Sequence, residues 1–136
     1  MRILAIDYGD ARTGLAFSDE LAILCGEAFT VEDWNTERLA QRIADEAKKR
    51  NVGRLVLGLP RNMDGSEGPR AGKCREFAEL LRSVCDIEIV MWDERRSSVE
   101  AHAILRANGK KEKKHRQTVD AVAASLILEG YLGSLR

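Results

Sequence analysis

The chain has 136 residues, of which 44% are hydrophobic and 32% charged, and its 22 basic side chains balance its 22 acidic ones. This length and composition predict one folded domain over residues 1–136 and exclude a disordered or low-complexity chain. No apolar stretch approaches the roughly 20 residues that span a bilayer, and the N-terminus does not resemble a signal peptide, so we expect a cytoplasmic protein without a membrane partner.

The first part of the chain predicts an antiparallel meander followed by a helix. Apolar runs separated by turn residues predict three strands, over residues 2–7, 13–18 and 22–31. Asn35 or Thr36 can cap a helix whose apolar positions recur with helical spacing up to the basic end at Arg50.

The remaining chain predicts parallel strands that alternate with helices. The unbroken apolar run Arg54-Leu-Val-Leu-Gly58 is typical of a parallel strand covered on both faces. The further predicted elements are a helix over 69–84, a strand over 87–92, and helices over 98–108 and 118–132. With right-handed crossovers, this order gives an α/β fold: a five-stranded mixed sheet, antiparallel in its first three strands and then parallel, with helices on both faces. The loops that follow the strands then gather at one edge of the sheet.

Three acidic residues lie where a predicted apolar element ends or begins. Asp7 ends the first strand, Glu94 follows the fifth, and Asp120 stands at the start of a helix that is apolar nearly all round. Taken singly, they have structural explanations: a turn aspartate, a polar exit from a strand, and a first-turn acid behind a Thr118 cap. If they converge, repulsion of order 4 kcal/mol per pair at about 4 Å favours the binding of Mg²⁺ or Mn²⁺, or else the uptake of protons by the acids. Asp93, beside Glu94, is an open candidate for the same site.

Basic side chains are concentrated in the second part of the chain. Residues 1–50 carry 10 acidic and 7 basic side chains, whereas residues 51–136 carry 12 and 15. The densest run, 106–116, can neutralise nucleic-acid phosphates if it forms a loop, although a solvated charged loop is the alternative. Arginines next to the acids can hold phosphate oxygens or form local salt bridges, and the Gly-rich turn after residue 59 can approach a substrate. The predicted nucleic-acid contacts are Arg12, Arg61, Asn62, Arg95, Lys110, Lys111, Lys113 and Lys114.

The histidines, cysteines and tryptophans indicate less about function than the acidic and basic residues do. His102 and His115 lack a paired metal ligand, and the three cysteines form an odd set without C-x-x-C spacing, so we expect neither a zinc site nor a disulfide framework. Trp34 and Trp92 can stack on bases, but a tryptophan on a core strand, such as Trp92, is more typical of packing.

Four ordered segments resemble the bacterial YqgF/RuvX family, and the resemblance extends over essentially the whole chain. They are Asp7-Tyr-Gly-Asp-Ala-Arg-Thr-Gly-Leu-Ala16, Gly58-Leu-Pro-Arg-Asn-Met-Asp-Gly65, Asp93-Glu-Arg-Arg-Ser-Ser98 and Asp120-Ala-Val-Ala-Ala-Ser-Leu-Ile-Leu128. The resemblance implies an RNase H-like fold and a nuclease that either processes the 5′ end of pre-16S ribosomal RNA or resolves Holliday junctions. It also implies that Asp7, Glu94 and Asp120 are the metal-binding acids. Ser98 and Ala11 depart from the residues common in the family, without touching the acids.

The chemistry of phosphodiester cleavage agrees with this resemblance. Two Mg²⁺ or Mn²⁺ ions about 4 Å apart can activate water and stabilise the leaving oxygen, with Asp7 bridging both ions and Glu94 and Asp120 each completing one shell. Two alternatives remain open: an ATP-handling relative of sugar kinases and actin, and a catalytically silent nucleic-acid-binding module. The substrate can be structured RNA, which we favour, or branched DNA. A resolvase requires a homodimer, whereas an RNA-trimming enzyme can act as a monomer.

Overall fold

A five-stranded mixed sheet runs through the computed structural model, which describes residues 1–94 and 112–135, with side chains for 1–94 and 121–135. Its strands are β1 (Arg2–Asp7), β2 (Arg12–Ser18), β3 (Cys25–Glu32), β4 (Val52–Leu59) and β5 (Glu88–Asp93). The spatial order is β3-β2-β1-β4-β5. β2 is antiparallel to both of its neighbours, whereas β4 is parallel to β1 and β5. The predicted mixed sheet is therefore confirmed.

Within the described residues, three helices cover the two faces of the sheet. They are α1 (Thr36–Lys49), α2 (Pro69–Val84) and α3 (Glu112–Ser134). Asn35 caps α1, because its side-chain oxygen accepts the backbone N–H of Arg38 at 2.9 Å. The bounds predicted for α2 are confirmed, and the helix predicted over 98–108 lies outside the described residues.

Two predicted starts are wrong. α3 begins at Glu112 and not at 118, because no glycine or proline interrupts residues 112–117. The last part of the basic run is therefore helical and not a loop. β3 begins at Cys25 and not at 22, because the Asp19 carboxylate accepts the N–H groups of Ile23 and Leu24 at 2.8 and 3.1 Å and closes a turn instead.

Two separate cores lie on the two faces of the sheet. On one face, α1 and α2 cover large side chains, including Leu4, Ile6 and Phe17. On the other face, α3 covers Ile3, Ala5 and other residues that alternate with the first set. The buried centre of β4 contributes to both cores, as expected for a parallel strand covered on both sides. No helix among the described residues is both long enough and apolar enough to cross a membrane.

Candidate active site

The carboxyl ends of β1, β4 and β5 meet at one edge of the sheet. The register pairs Ile6 with Leu57 and Leu59 with Asp93, so Asp7 at the end of β1 and Glu94 just beyond β5 flank the end of β4. Two strand spacings, about 10 Å, separate β1 from β5. The structure therefore brings two of the three predicted acids to the same edge.

Both acids belong to the face that α3 covers. Asp7 continues the alternation of Ile3 and Ala5, and Glu94 continues that of Val90 and Trp92, which pack in the same core as α3. Asp93 belongs to the opposite alternation, with Met91, which packs against the α1 and α2 side. The strand pleat thus favours Glu94 over Asp93 as the partner of Asp7.

Gly58 on β4 makes room for the Glu94 carboxylate. A Cβ atom at this position would lie 2.5 Å from Glu94 Oε1 and 2.7 Å from Ile127 Cδ1, and real Cβ contacts are not that short. The missing side chain therefore lets the carboxylate lie over the middle strand, next to Ile127 of α3. Gly58 was not among the site residues predicted from the sequence, although a glycine inside a buried strand is a signal of close approach.

The direction of α3 places residue 120 towards the same edge. Near the start of β4, Arg54 Nη1 donates to the Tyr131 hydroxyl at 2.8 Å, whereas Ile127 lies at Gly58, near the end of β4. The helix therefore runs antiparallel to β4, and its N-terminal half lies beyond Ile127 in the direction of the edge. Position 120 is on the same side of the helix as Ile127, two turns or roughly 10 Å further along.

Asp120 is not a first-turn acid, since eight helical residues precede it. The alternative explanation through the helix dipole and a Thr118 cap is therefore wrong. The side chain of Asp120 lies outside the described side chains, so its meeting with Asp7 and Glu94 stays a prediction.

The buried thiol of Cys74 on α2 reports the proximity of the two described acids. The pKa of this thiol is raised to about 11, mainly by burial; Arg70 lowers it, and the carboxylates of Glu94, Asp7 and Asp10 contribute to the rise. Glu94 and Asp7 therefore both lie near enough to this sulfur atom to act on it.

The turn that follows Asp7 is held in place from α2. Arg70 Nη1 donates to Asp10 Oδ1 at 2.8 Å, and Arg70 Nη2 donates to the backbone carbonyl of Tyr8. The hydrogen bond from Arg70 lowers the pKa of the Asp10 carboxyl. The Tyr8 ring lies between the Arg70 guanidinium, 5.0 Å from its centroid, and the stacked ring of Phe77. Arg70 was not predicted from the sequence, because its partners are about 60 positions away in the chain.

The loop between β4 and α2, which contains Arg61 and Asn62, lies at the same edge. Asn62 accepts from the Gly65 N–H at 2.8 Å and donates its own N–H to Ser66 at 2.9 Å, so the loop folds back on itself. Arg61 forms an ion pair with Glu67 at 3.6 Å. Contact of Arg61 and Asn62 with a nucleic acid stays a prediction.

The other predicted nucleic-acid residues are less completely described. Arg12 begins β2 at the same edge, opposite Glu32 in the register. Lys113 and Lys114 occupy the first turn of α3, and their side chains lie outside the described part. Arg95, Lys110 and Lys111 lie outside the described residues altogether.

The donor atoms at the edge suit a hard divalent cation. Carboxylate oxygens are the ligands that Mg²⁺ prefers, and Gly58 gives the Glu94 carboxylate space over β4. Among the side chains that the structure describes, no group of three His, Cys, Asp or Glu residues could hold a metal ion. Asp7 and Glu94 therefore fit as two of the ligands of a site that needs a third.

Known proteins resemble the chain over nearly its whole length. Residues 1–134 match the RuvX family, described as Holliday junction resolvase. A protein of Bacillus mycoides (strain KBAB4) named "Putative pre-16S rRNA nuclease" is 39% identical and aligns with 98% of this chain and 99% of its own length. A protein of the same name from Halothermothrix orenii (strain H 168) is 41% identical and aligns with 97% of this chain and 94% of its own length.

Solved resolvase structures share the fold. RuvC of T. thermophilus in complex with a Holliday junction substrate superposes with a TM-score of 0.61 at 12% identity, covering 98% of this chain and 97% of that chain. The Fowlpox virus resolvase in complex with Holliday junction DNA superposes with a TM-score of 0.60 at 15% identity, and the superposition covers 99% of both chains. The likeness to these resolvases confirms the predicted RNase H-like fold, and the match over residues 1–134 shows that the chain belongs to the RuvX family.

Proposed function

We propose that this chain is a divalent-metal-dependent endonuclease that processes the 5′ end of pre-16S ribosomal RNA. Residues 1–136 form its single nuclease domain, and it acts in the cytoplasm, where ribosomes are assembled. One observation carries the proposal: Asp7 and Glu94 flank the end of β4 on the α3 face, where Gly58 leaves space for a carboxylate. The RNA substrate is supported by relatives about 40% identical over nearly their full length that carry the pre-16S rRNA nuclease name.

Asp7, Glu94 and Asp120 would hold the metal, Mg²⁺ or Mn²⁺, as a pair of ions. When bound, such ions supply an activated water and stabilise the leaving oxygen of the phosphodiester. Gly58 keeps the Glu94 carboxylate in reach of Asp7. Arg70 fixes the turn after Asp7 through the Tyr8 carbonyl and the Asp10 carboxylate, which limits the movement of Asp7 itself.

Basic and polar residues around this edge would bind the sugar-phosphate backbone. Arg12 at the start of β2 and Arg61 with Asn62 after β4 are placed on either side of Asp7 in the order of the sheet. Guanidinium groups suit phosphate because they donate two parallel hydrogen bonds. Arg95, Lys110, Lys111, Lys113 and Lys114 complete the proposed set of contacts.

Resolution of Holliday junctions is the second candidate function, favoured by the description of the matching family. It requires two symmetric cuts and hence a homodimer, whereas RNA trimming needs only a monomer. A protein that binds nucleic acid without cutting it is the third candidate.

Cleavage of two substrates in parallel tests these candidates. End-labelled structured RNA carrying the pre-16S 5′ region and a four-way DNA junction are incubated with Mg²⁺ or Mn²⁺ and with the wild-type protein or the Asp7→Asn variant. We expect the wild-type protein to cut the RNA and the variant to bind it without cutting. If only the junction is cut, by symmetric nicks, the protein is a resolvase and not an RNA-processing nuclease. If both substrates are bound and neither is cut, the protein is a catalytically silent nucleic-acid-binding module.

A further inference from the structure

Trp34 is far more exposed than is usual for a tryptophan. Its side chain is 79% exposed, although tryptophan is usually among the most buried residue types. The other aromatic rings of the chain all lie in the described part and are partly or fully buried. Tyr8 lies between Arg70 and Phe77, and Trp92 packs edge-on against Tyr131. Among the described residues, Trp34 is therefore the aromatic ring that is exposed enough to contact a ligand.

The segment that carries Trp34 is held firmly on both sides. The Asp33 N–H donates to the Ala11 carbonyl at 2.9 Å, which ties the segment to the turn after Asp7. The Asp33 carboxylate accepts from Arg38 Nε at 2.7 Å and from the Asn35 N–H at 2.9 Å. The indole is therefore displayed from a fixed backbone, which lowers the entropy that a contact would cost.

The topology places Trp34 at the same edge as the acids. β3 is parallel to β1, since both are antiparallel to β2, so the carboxyl end of β3 lies at the edge that bears Asp7. The register pairs Asp7 with Gly14 and Gly14 with Thr30, and Trp34 follows Thr30 by four residues. Trp34 is therefore about 10 Å from β1 across the sheet and at most roughly 13 Å beyond Asp7 along it, which a few nucleotides can span.

We propose that Trp34 stacks on an unpaired base of the RNA substrate, on the β3 side of the bond that is cut. The inference rests on the proposed nuclease function and adds to it a requirement for a single-stranded segment. Following the order of the sheet, this strand would pass from Trp34 over Arg12 to Asp7. Base stacking on an exposed ring tolerates any sequence, because every base has a π-face.

The charges around Trp34 favour a base over a phosphate. Residues 32–38 contain three acidic side chains and one arginine, and that arginine is bound by Asp33. The backbone of the RNA is therefore repelled from this segment, and the base is the part that turns towards the indole. Loss of the contact should weaken binding without changing its dependence on salt.

The test compares two RNA hairpins in EDTA, one with a short single-stranded 5′ extension and one blunt, both fluorescein-labelled. We expect Trp34→Ala to bind the extended hairpin about tenfold more weakly, Trp34→Phe to bind it nearly as well as the wild-type protein, and all three proteins to bind the blunt hairpin equally. In the Trp92→Phe variant, where Trp34 is the remaining tryptophan, the extended RNA should quench the fluorescence.

Other results would overturn the inference. Equal affinity of Trp34→Ala and wild-type protein for the extended hairpin would do so, as would an equal loss for both hairpins. A change in sedimentation with intact RNA binding would instead make Trp34 a contact between copies of the chain. Cleavage by the wild-type protein with Mn²⁺, measured on the same RNA, separates these failures from failure of the proposed function itself.

Discussion

The two faces of the sheet are built from side chains of different size. The sheet face under α1 and α2 is filled by leucine, isoleucine and phenylalanine, whereas the face under α3 includes alanines at Ala5 and Ala16 and a glycine at Gly58 among its larger residues. Small residues let α3 lie close to the strands, and at the edge of the sheet they leave room for a carboxylate. We therefore expect the first face to contribute most of the stability, whereas the second positions the candidate site.

Replacing an acid at the edge should have the largest effect. Asp7→Asn removes one of the proposed metal ligands and should reduce RNA cleavage at least about 1000-fold, while RNA binding and the melting temperature stay close to those of the wild-type protein. Asp45→Asn is the control, because Asp45 is an exposed carboxylate on α1 that accepts a hydrogen bond from Gln41 and has no part in the edge. Comparable loss of cleavage in both variants would contradict a special role for Asp7.

Alanine substitutions at two neighbouring residues of β4 should show which face of the sheet contributes more to the free energy of unfolding. Leu55 belongs to the large core and Val56 to the α3 core, and both are fully buried. Leu55→Ala should lower the free energy of unfolding by about 2–5 kcal/mol and Val56→Ala by about 1.5 kcal/mol, measured by urea denaturation. Equal losses, although Leu55→Ala removes the larger side chain, would contradict a greater contribution of the face under α1 and α2. Cleavage per folded molecule should not change in Leu55→Ala.

A methyl group at Gly58 should disturb stability and cleavage together. The Cβ atom of Gly58→Ala would meet Glu94 Oε1 and Ile127 Cδ1, so we expect a loss of about 1–3 kcal/mol in unfolding free energy and reduced cleavage. Gly72→Ala in α2 is the matched control, since nothing lies within 4 Å of its added Cβ, and it should stabilise the protein by up to about 1 kcal/mol. A fully active Gly58→Ala variant would show that the Glu94 carboxylate does not need this space.

The sequence predicted the fold well where local patterns and burial agree. The apolar run of β4 and the helical spacing of α2 predicted elements that the structure contains, because both patterns are long and uninterrupted. The predicted start of β3 was wrong because Ile23 and Leu24 look like strand residues, yet they are exposed in a turn that the Asp19 carboxylate closes. Hydrophobic pattern alone does not distinguish a strand from an apolar turn.

Part of the candidate site could also be predicted from the sequence, but for a different reason than the fold. Asp7 and Glu94 follow apolar runs, and the strand-end rule brings such residues to one edge. Gly58 and Arg70 act through contacts between distant segments: Gly58 with Glu94 and Ile127, and Arg70 with Tyr8 and Asp10. A glycine in a buried strand is a signal of close approach, but it does not show which residue approaches, and no local pattern shows the partners of Arg70.

The smallest predicted effect uses Cys74 to measure the charge of the acids. Burial, together with the carboxylates of Glu94 and Asp7, raises the pKa of this thiol to about 11, so at pH 8 it should react with iodoacetamide far more slowly than an ordinary exposed thiol. Raising the pH towards 11 should speed the reaction, because only the thiolate is nucleophilic. Mass spectrometry of the Cys74 peptide measures the rate.

Removing one of these negative charges should lower the pKa of Cys74 and increase its reactivity at fixed pH. Asp7→Asn should therefore speed alkylation of Cys74, by no more than about threefold, because burial remains the dominant cause of the raised pKa. Asp45→Asn on the exposed side of α1 is the control and should leave the rate unchanged. If the rates in these two variants are the same, the carboxylate of Asp7 does not act on the buried sulfur, and the shared neighbourhood of Asp7 and Glu94 loses its electrostatic support.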